Sequence, residues 1–259
     1  MKSLLKLVAI AAVTFGLGTG AASAQIKLGL DSSPYPPFAE KDSAGNQKGW
    51  EIEIGEALCK AMGEECVWTP IAWDGIIPAL VAKKIDAIVA SMSITAERKK
   101  TIAFSDKYYN TPAVIVAAKD SKISGDPASV KGKTVGVQVS TTHANYAEKH
   151  LKDAKIKTYQ AFDEHNADLF AGRVDAVVGD AIAIKAFLNS DEGKNFEVKG
   201  ELNDEDVFGP GVGVGMRQGD DELMKKFNAA IKKIREDGTY DARSEHIFVV
   251  QLALHFKVL

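Results

Sequence analysis

The sequence predicts an α/β fold of two similar lobes, in which mainly parallel sheets with flanking helices face each other across a cleft. Residues 86–91 read Asp-Ala-Ile-Val-Ala-Ser, and residues 175–180 repeat them in altered form as Asp-Ala-Val-Val-Gly-Asp. Each copy begins six residues after a leucine in a helix-like stretch, Leu80 in one case and Leu169 in the other. Buried strands that alternate with helices in this way belong to helix-covered, mainly parallel sheets. A chance similarity between two α/β units is the alternative interpretation.

Polar residues end both of these strand segments. Ser91 closes the first copy and Asp180 closes the second. Ligands of open α/β sheets bind outside the carboxyl ends of the strands. A hydroxyl from one lobe and a carboxylate from the other therefore predict a clamp for a small polar molecule.

The amino terminus has the pattern of a secretory signal peptide, which we assign to residues 1–24. Lys2 and Lys6 precede the apolar run 7–17, and the small residues at 22–24 suit a signal peptidase. A membrane anchor is the alternative, but the run is shorter than the ~20 residues that cross a hydrocarbon core. Cleavage leaves a mature chain of 235 residues, which is long enough for two lobes with cores of their own.

The charge of the mature chain gives no sign of a nucleic acid partner. Without Lys2 and Lys6, 30 basic and 35 acidic residues leave a net charge of −5. A protein that binds nucleic acid usually carries a basic patch, and this sequence has none.

Cys59 and Cys66 are the only cysteines. In an exported protein such a pair predicts one disulfide across a short loop. Metal binding is the alternative, although two thiols with no histidine close in sequence make a poor zinc site. Their spacing also differs from that of a redox motif. We expect neither a metal nor a cofactor.

The first mature segments predict strands and helices around a rigid loop. Residues 26–30 alternate as a strand does, and the loop 31–38 follows, where three prolines in four positions forbid a helix or a central strand. The loop carries Asp31 and Tyr35, and its rings either pack inward or form a stacking wall for a ligand. Helical spacing then predicts a helix over 52–62 that Gly63 ends, a strand over 66–69, a second helix that begins after Trp73, and a strand over 85–90.

The following segments predict a second unit and a return to the first. Strands are expected at 113–118 and 134–139, a hinge at 110–112, a short connecting helix at 126–131 and helices at 144–151 and 222–237. Ser140, Thr141 and Thr142 precede the helix at 144–151, where they serve as N-caps, as an anion site, or as both. The glycine-rich stretch 209–215 lacks the lysine and context of a phosphate loop, and we interpret it as the return crossing.

Short motifs occur in one order along almost the whole mature chain. They are GWEIEI (49–54), ALC (57–59), KIDAI (84–88), SIT (93–95) before Arg98, IAFS (102–105), GKTVGV (132–137), GRVDA (172–176), GVGMR (213–217) and DGTY (237–240). On these motifs the chain resembles the periplasmic polar amino acid binding proteins of the lysine/arginine/ornithine- and histidine-binding type, the extracellular solute-binding family 3 of ABC importers. The resemblance implies a two-lobed periplasmic binding protein fold of type II. We expect lobe 1 to comprise 25–111 and 207–259, and lobe 2 to comprise 112–206.

The resemblance also implies how an amino acid would be held at its α-carbon. Arg98 matches the arginine that grips the ligand α-carboxylate, a task that suits a planar bidentate donor. Thr141 and the amides near Ser140 would hold that carboxylate from the other lobe. Asp180 matches the acid that receives the α-ammonium, and Ser91 and Ser93 would assist it.

For the ligand side chain, the resemblance implies two aromatic walls and one acid. Tyr35 and Trp73 match the walls, and Asp31 matches the acid that meets a cationic side-chain tip. Met92 and Thr142 complete the expected set of ligand-binding residues. Asp86 and Asp175 occupy repeat-like positions in turns, and we interpret them as structural.

The chain departs from the family pattern at several places. Trp50 replaces the usual phenylalanine or tyrosine, Pro34 is an extra residue before the tyrosine, and Val139 stands where many relatives have glycine, so that its side chain is expected to narrow the carboxylate pocket. The end of the chain, 247–259, is more apolar than the usual short tail.

Three functions are compatible with this pattern. The first is a monomeric periplasmic receptor that closes around a basic L-amino acid or a related opine and delivers it to an inner-membrane ABC permease. The second is a cyclohexadienyl or arogenate dehydratase, because such enzymes resemble the same family, but the expected site describes an amino acid clamp. The third is a sensor domain, which the lack of a downstream membrane segment disfavours.

Overall fold

The computed structural model describes residues 25–245 and residue 247. The signal peptide predicted at 1–24 lies outside these residues. The apolar tail predicted at 247–259 also lies outside them, except for Ile247, which is buried.

Strands and helices alternate along most of the chain. The strands are β1 (Ile26–Asp31), β2 (Glu40–Lys41), β3 (Gln47–Lys48), β4 (Cys66–Ile71), β5 (Ala87–Ile88), β6 (Ile102–Phe104), β7 (Ala113–Ala118), β8 (Thr134–Gln138), β9 (Lys155–Tyr159), β10 (Ala176–Asp180), β11 (Phe196–Leu202) and β12 (Gly215–Arg217). The α-helices are α1 (Trp50–Met62), α2 (Ile76–Val81), α3 (Ala96–Lys99), α4 (Thr142–His150), α5 (Phe162–Phe170), α6 (Ala181–Leu188), α7 (Glu205–Phe208) and α8 (Asp221–Glu236). Short 3₁₀ helices lie at Trp73–Gly75, Pro127–Val130 and Glu192–Asn195, and residues 239–245 are helical.

The larger sheets each have five strands and form the centres of two lobes. The first lobe is built on the sheet with strand order β4-β1-β5-β12-β6, and the second lobe on the sheet β11-β7-β10-β8-β9. The chain passes to the second sheet between β6 and β7 and returns between β11 and β12. The two crossing segments pair with each other through a bridge between Tyr109 and Val212.

Both sheets are mixed in strand direction. Strand β1 is parallel to β4 and β5, and β8 is parallel to β9 and β10. Strand β12 is antiparallel to β5 and β6, and β7 is antiparallel to β10 and β11. The parallel strands are those that helices connect, as a parallel pair requires. The strands that follow the direct crossings, β7 and β12, supply every antiparallel pairing in these two sheets.

The repeat predicted from the sequence reappears as equivalent hydrogen bonds. The N–H of Asp86 donates to the Lys27 carbonyl oxygen at 2.8 Å, and its Oδ2 accepts from the Lys27 N–H at 3.0 Å. Asp175 forms the same pair of bonds with Thr134, at 2.8 Å and 2.8 Å. Each aspartate therefore fastens the start of one strand to its neighbour, which is the structural role expected for it.

Helix α1 ends at the residue that its sequence predicts and begins two residues earlier than predicted, at Trp50. Gly63 caps it with φ of 70°, a left-handed conformation that glycine adopts at little cost. A disulfide joins Cys59 of α1 to Cys66 at the start of β4, as predicted. Helix α8 buries Phe227, Ala230, Ile231 and Ile234 in the same core cluster as α1, so this helix belongs to the first lobe.

Two features are absent from the residues that the structure describes. Within 25–245 and 247, no helix combines the length and apolar character that a membrane crossing needs. The same residues contain no cluster of three or more histidine, cysteine or acidic side chains that could hold a metal ion.

Candidate functional site

Two adjoining cavities lie where the carboxyl ends of the two sheets meet. The first has an empty volume of about 510 Å³ and the second of about 400 Å³, and both volumes include space at the mouth that is open to solvent. The first is lined by Asp31, Tyr35, Trp73, Ala90, Ser91, Ser93, Arg98, Gln138, Thr141, Thr142, His143, Phe162, His165 and Val178. The second is lined by Tyr35, Ser91, Ser93, Asn110, Thr111, Ala113, Thr142, His143, Asp180, Phe208, Gly211 and Val212. Five lining residues are common to both, so together the cavities form one cleft.

Arg98 lies on α3, whose first turn is capped by the Thr95 hydroxyl. Its Nη1 donates to the Ser93 carbonyl oxygen at 3.0 Å, and its Nη2 donates to the Ser140 carbonyl oxygen of the second lobe at 3.2 Å. Burial lowers the pKa of Arg98 to about 10, so the guanidinium stays cationic at neutral pH. Two backbone carbonyls thus orient the planar group, and its further N–H groups are available to a carboxylate.

The start of α4 faces Arg98 from the second lobe. Thr141 is the N-cap: its Oγ1 accepts from the Ala144 N–H at 3.1 Å and donates to the Gln138 carbonyl oxygen at 2.7 Å. Ser140, with φ of 59°, turns the chain so that its carbonyl oxygen points back across the cleft. The free amides of the first helical turn favour an anion at this position.

Asp180 ends β10 and begins α6. Its Oδ1 accepts from the N–H groups of Ile182 at 2.8 Å and Ala183 at 3.1 Å. Burial raises its pKa to about 6, although these backbone bonds act in the opposite direction. A buried carboxylate of this kind gains stability from a cation placed beside it.

Asp31 lies at the end of β1, in the first cavity. Its Oδ1 accepts from the Ser33 N–H at 3.0 Å, and its Oδ2 accepts from Gln138 Nε2 of the second lobe at 3.1 Å. Burial raises the pKa of Asp31, while both hydrogen bonds act to lower it. This acid and Asp180 line different cavities of the cleft.

Two aromatic residues of the first lobe lie in the cleft. Trp73 donates from Nε1 to the Ser140 carbonyl oxygen at 3.1 Å, and the Arg98 Cζ lies 5.5 Å from the centre of its ring. Tyr35 lines both cavities and stacks on Phe38 with ring centres 5.4 Å apart. Phe162 packs against Tyr35 in a T-shaped arrangement with ring centres 4.9 Å apart. Phe38 of the proline-rich loop thus packs inward, whereas Tyr35 lines the cleft, where a stacking wall for a ligand is predicted.

Three predicted residues or effects differ from expectation. Met92 lines neither cavity, because its side chain is buried in the core cluster beside α2. Ser140 also lines neither cavity, and its carbonyl oxygen accepts the hydrogen bonds from Trp73 and Arg98. Val139 continues the pairing of β8 through its N–H to the Tyr159 carbonyl oxygen and is not a lining residue, so the expected narrowing of the pocket is wrong.

The cleft also contains side chains that sequence reasoning did not select. Among them are Gln138, His143, Phe162 and His165 in the lining, and Glu51 behind it. Gln138 ends β8, so the rule that selected Ser91 and Asp180 applies to it as well. Phe162 and His165 lie on α5 with ordinary helical spacing, and nothing in the sequence distinguishes them from core residues.

Two lobes that hold one arginine, two carboxylates and aromatic side chains around an enclosed cleft define a protein that binds a small charged solute. The profile of the bacterial extracellular solute-binding proteins, family 3, matches residues 26–250. The chain belongs to this family.

Similar proteins cover nearly the whole chain. The L-arginine-binding protein of Pseudomonas aeruginosa PAO1 is 42% identical over 252 residues, which are 96% of this chain and 97% of that protein. The lysine/arginine/ornithine-binding periplasmic protein of Escherichia coli K12 is 40% identical over 256 residues, 95% of this chain and 96% of that protein. The solved structure of an ancestral arginine-binding protein bound to arginine has a TM-score of 0.80 and 36% identity, and covers 87% of this chain and 99% of that one.

Proposed function

We propose that this protein is the periplasmic substrate-binding component of an ABC importer and binds a basic L-amino acid, or a related opine, between its lobes. The observation that best supports this function is the placement of charged side chains in the cleft. Arg98 and Asp31 line the first cavity, and Asp180 lines the second. An amino acid with a cationic side chain has the three complementary charges: a carboxylate, an ammonium group and a distal cation.

The carboxylate of the ligand lies between Arg98 and the start of α4 in this proposal. Arg98 is held on two carbonyl oxygens, one from each lobe, which fixes its plane. Thr141 and Thr142 bring the first turn of α4 to the same cavity. A bidentate arginine together with helix amides is a strong site for a carboxylate.

The α-ammonium lies against Asp180, with the Ser91 and Ser93 hydroxyls beside it. These three residues line the second cavity together. Asp180 is buried with a pKa raised to about 6, so a cation in contact with it relieves the cost of its burial.

The side chain extends between Tyr35 and Trp73 toward Asp31. Cations pack favourably against aromatic faces, and a carboxylate at the end of such a slot selects charge. Gln138 supports this arrangement. Its Nε2 donates hydrogen bonds to Asp31 Oδ2 at 3.1 Å and to the Gln160 carbonyl oxygen at 3.2 Å, which fixes the orientation of the amide. Its own Oε1 then adds an acceptor for a donor-rich tip such as a guanidinium.

The chain divides as 25–111, 112–206 and 207–259 in this proposal, with a hinge at the two crossings. The membership of the sheets supports the division, since β1 to β6 and β12 lie outside 112–206 and β7 to β11 lie within it. Membership of the family supports export to the periplasm and delivery to an inner-membrane permease. Action as a monomer is part of the same proposal.

The protein is a receptor and not an enzyme in this proposal. The similar proteins described above are named as binding proteins. A dehydratase of this fold would use a proton donor over a ring-shaped substrate, whereas here the acids and the arginine are arranged for an amino acid. Incubation with prephenate or arogenate tests this point, and steady product formation would favour the enzyme.

Isothermal titration calorimetry of the purified mature protein tests the ligand. The panel is arginine, lysine, ornithine, histidine, glutamine and opines such as octopine and nopaline. Tight binding of at least one basic ligand, with glutamine much weaker, is the expected result. A preference for glutamine would overturn the basic specificity, and failure of every amino acid and opine would overturn the proposed function.

A further inference from the structure

Glu51 is a buried acid directly behind the cleft. It is the second residue of α1, and only 1% of its surface is exposed. Its Oε1 accepts from the Ser91 N–H at 2.7 Å and from the Ser91 Oγ at 2.8 Å. The Tyr108 hydroxyl donates to both carboxylate oxygens, at 2.8 Å and 2.9 Å.

These bonds decide what Ser91 presents to the cleft. Burial raises the pKa of Glu51 to about 7, and above that pH the ionised carboxylate only accepts hydrogen bonds, so the Ser91 hydroxyl gives its hydrogen to Glu51. The remaining lone pairs of Oγ are then acceptors for a group in the cleft. Ser91 also has φ of 54°, a strained conformation for a residue with a side chain, and two bonds from one residue to one carboxylate oxygen hold it there.

Ser91, which Glu51 holds, lines the same cavity as Asp180, so the carboxylates of Glu51 and Asp180 act on the same part of the cleft. Ser91 and Asp180 line the second cavity, and Ser91 lines the first as well. After burial, the charges of Asp180 and Glu51 both contribute to the raised pKa of Tyr35 and of Tyr109, which places the two carboxylates in one electrostatic neighbourhood. A site with an acceptor hydroxyl and two nearby carboxylates is complementary to an ammonium group.

We propose that Glu51 is a positioning residue of the ammonium subsite, which acts through Ser91 by making its hydroxyl an obligate acceptor for the ligand α-ammonium. The inference rests on the proposed function, because it assigns a role within the same cleft. Glu51 does not touch the ligand. It orients the hydroxyl that does and places a second negative charge behind it.

A purely structural role for Glu51 makes a different prediction. Loss of a buried acceptor would then weaken the fold and affect every ligand alike, because nothing would depend on the α-ammonium. The proposed role affects ligands that carry this group and leaves others unchanged. L-arginine and its desamino analogue, 5-guanidinopentanoate, differ only in the α-ammonium and separate the two roles.

The test is titration of both probes into the parent protein and into Glu51→Gln at about pH 8, above the raised pKa of Glu51, so that Glu51 of the parent is ionised. Glutamine keeps the shape and one carbonyl acceptor for Ser91, and its amide can donate to the Tyr108 hydroxyl, but the charge is gone. We expect affinity for L-arginine to fall about tenfold or more, as for a weakened charge-assisted bond, and affinity for 5-guanidinopentanoate to change less than about twofold. Glu53→Gln is the matched control, since Glu53 lies on α1 and faces Arg243 at 3.6 Å on the surface.

Ser91→Ala keeps the inference testable if the Glu51 variant does not fold. It removes only the hydroxyl and should give the same selective loss for L-arginine. In the double variant the loss should be smaller than the sum of the two single losses, because the effect of Glu51 is carried in part by the Ser91 hydroxyl. Equal losses for the two probes, or additive losses in the double variant, would overturn the role of Glu51. Failure of the parent protein to bind L-arginine or any other basic amino acid would instead overturn the proposed function.

Discussion

Asp31 of the first lobe and Gln138 of the second are joined by a hydrogen bond from Nε2 to Oδ2 of 3.1 Å across the cleft. The bond ties the acid that is proposed to select charge to the strand β8 that faces it. Besides the charge selection proposed for it, Asp31 therefore links the two lobes.

Asp31→Asn should weaken binding of arginine or lysine far more than binding of glutamine. The amide keeps the shape of the acid, and Gln138 can turn its own amide to restore a hydrogen bond, but the charge is lost. A charge-assisted hydrogen bond contributes about 1.5–3 kcal/mol, so we expect a loss of about tenfold to a hundredfold for basic ligands. Calorimetry with both ligands measures the ratio. Equal weakening of basic and neutral ligands would mean that Asp31 only shapes the loop.

The sequence predicted the fold because its signals are local. The apolar stripe and final glycine of α1 define that helix, and the repeated turns at Asp86 and Asp175 each fasten one strand to the next. Strand β5 shows the limit of such signals. The apolar run 85–90 predicted a longer strand, but pairing covers only Ala87–Ile88, and Val89 adds one bond to Gly29 before Ser91 turns away.

The sequence predicted part of the cleft for the same reason. Residues at strand ends, such as Ser91 and Asp180, follow from the topology of an α/β sheet. Glu51 could not be found in this way, because it occupies the first turn of a helix, where acids are common for their effect on the helix dipole. Only the packing of α1 behind Ser91 shows that its carboxylate reaches the cleft wall.

Arg98→Ala should abolish measurable binding and leave the fold intact. Loss of a buried charge-assisted donor typically costs about 2–5 kcal/mol of binding free energy. Lys99→Ala is the control, since Lys99 is the next residue of α3 and is exposed. Circular dichroism checks the fold, and calorimetry measures the affinity. Binding within twofold of the parent would show that the carboxylate lies elsewhere.

Replacement of both Cys59 and Cys66 by serine should lower the free energy of unfolding. The disulfide links residues only seven positions apart, and the loop-entropy relation gives about 2–3 kcal/mol for so short a loop. Urea unfolding of the parent and the double variant measures the difference. Titration of free thiols in the oxidised native protein is the companion measurement, and two reactive thiols would contradict the bond.

Ligand should bring the lobes together. The Ser140 carbonyl oxygen accepts hydrogen bonds from both Trp73 and Arg98, so these contacts exist only when the lobes meet. Small-angle scattering should show compaction of the parent protein on saturation with a basic amino acid. Trp73→Phe keeps an aromatic wall and removes one of the two bonds, and we expect an affinity loss of about twofold to tenfold. Unchanged scattering on saturation would contradict closure by a hinge.

The affinity for a basic amino acid should fall as the pH falls through about 6. Burial raises the pKa of Asp180 from 3.8 to about 6, so the free protein binds a proton there more readily than the unfolded chain does. The ionised form of Asp180 thus destabilises the free fold above pH 6, and protonation removes this cost as the pH falls. A ligand ammonium favours the ionised form of Asp180, because it binds the carboxylate. Binding is therefore strongest above the free pKa and must displace a proton below it.

The size of this effect follows from the number of protons displaced. With one proton, the affinity approaches a loss of about tenfold per pH unit well below the pKa. Burial lowers the pKa of His143 to about 4 and that of His165 to about 3, so neither histidine titrates between pH 5 and 7. Burial also raises the pKa of Glu51 to about 7, so the affinity begins to fall at a higher pH than Asp180 alone would cause. Calorimetric titrations of L-arginine from about pH 5 to about pH 8 measure the profile. Asp180→Asn should bind weakly with a much flatter profile, and a parent profile that is flat between pH 5 and 7 would show that Asp180 does not receive the ammonium.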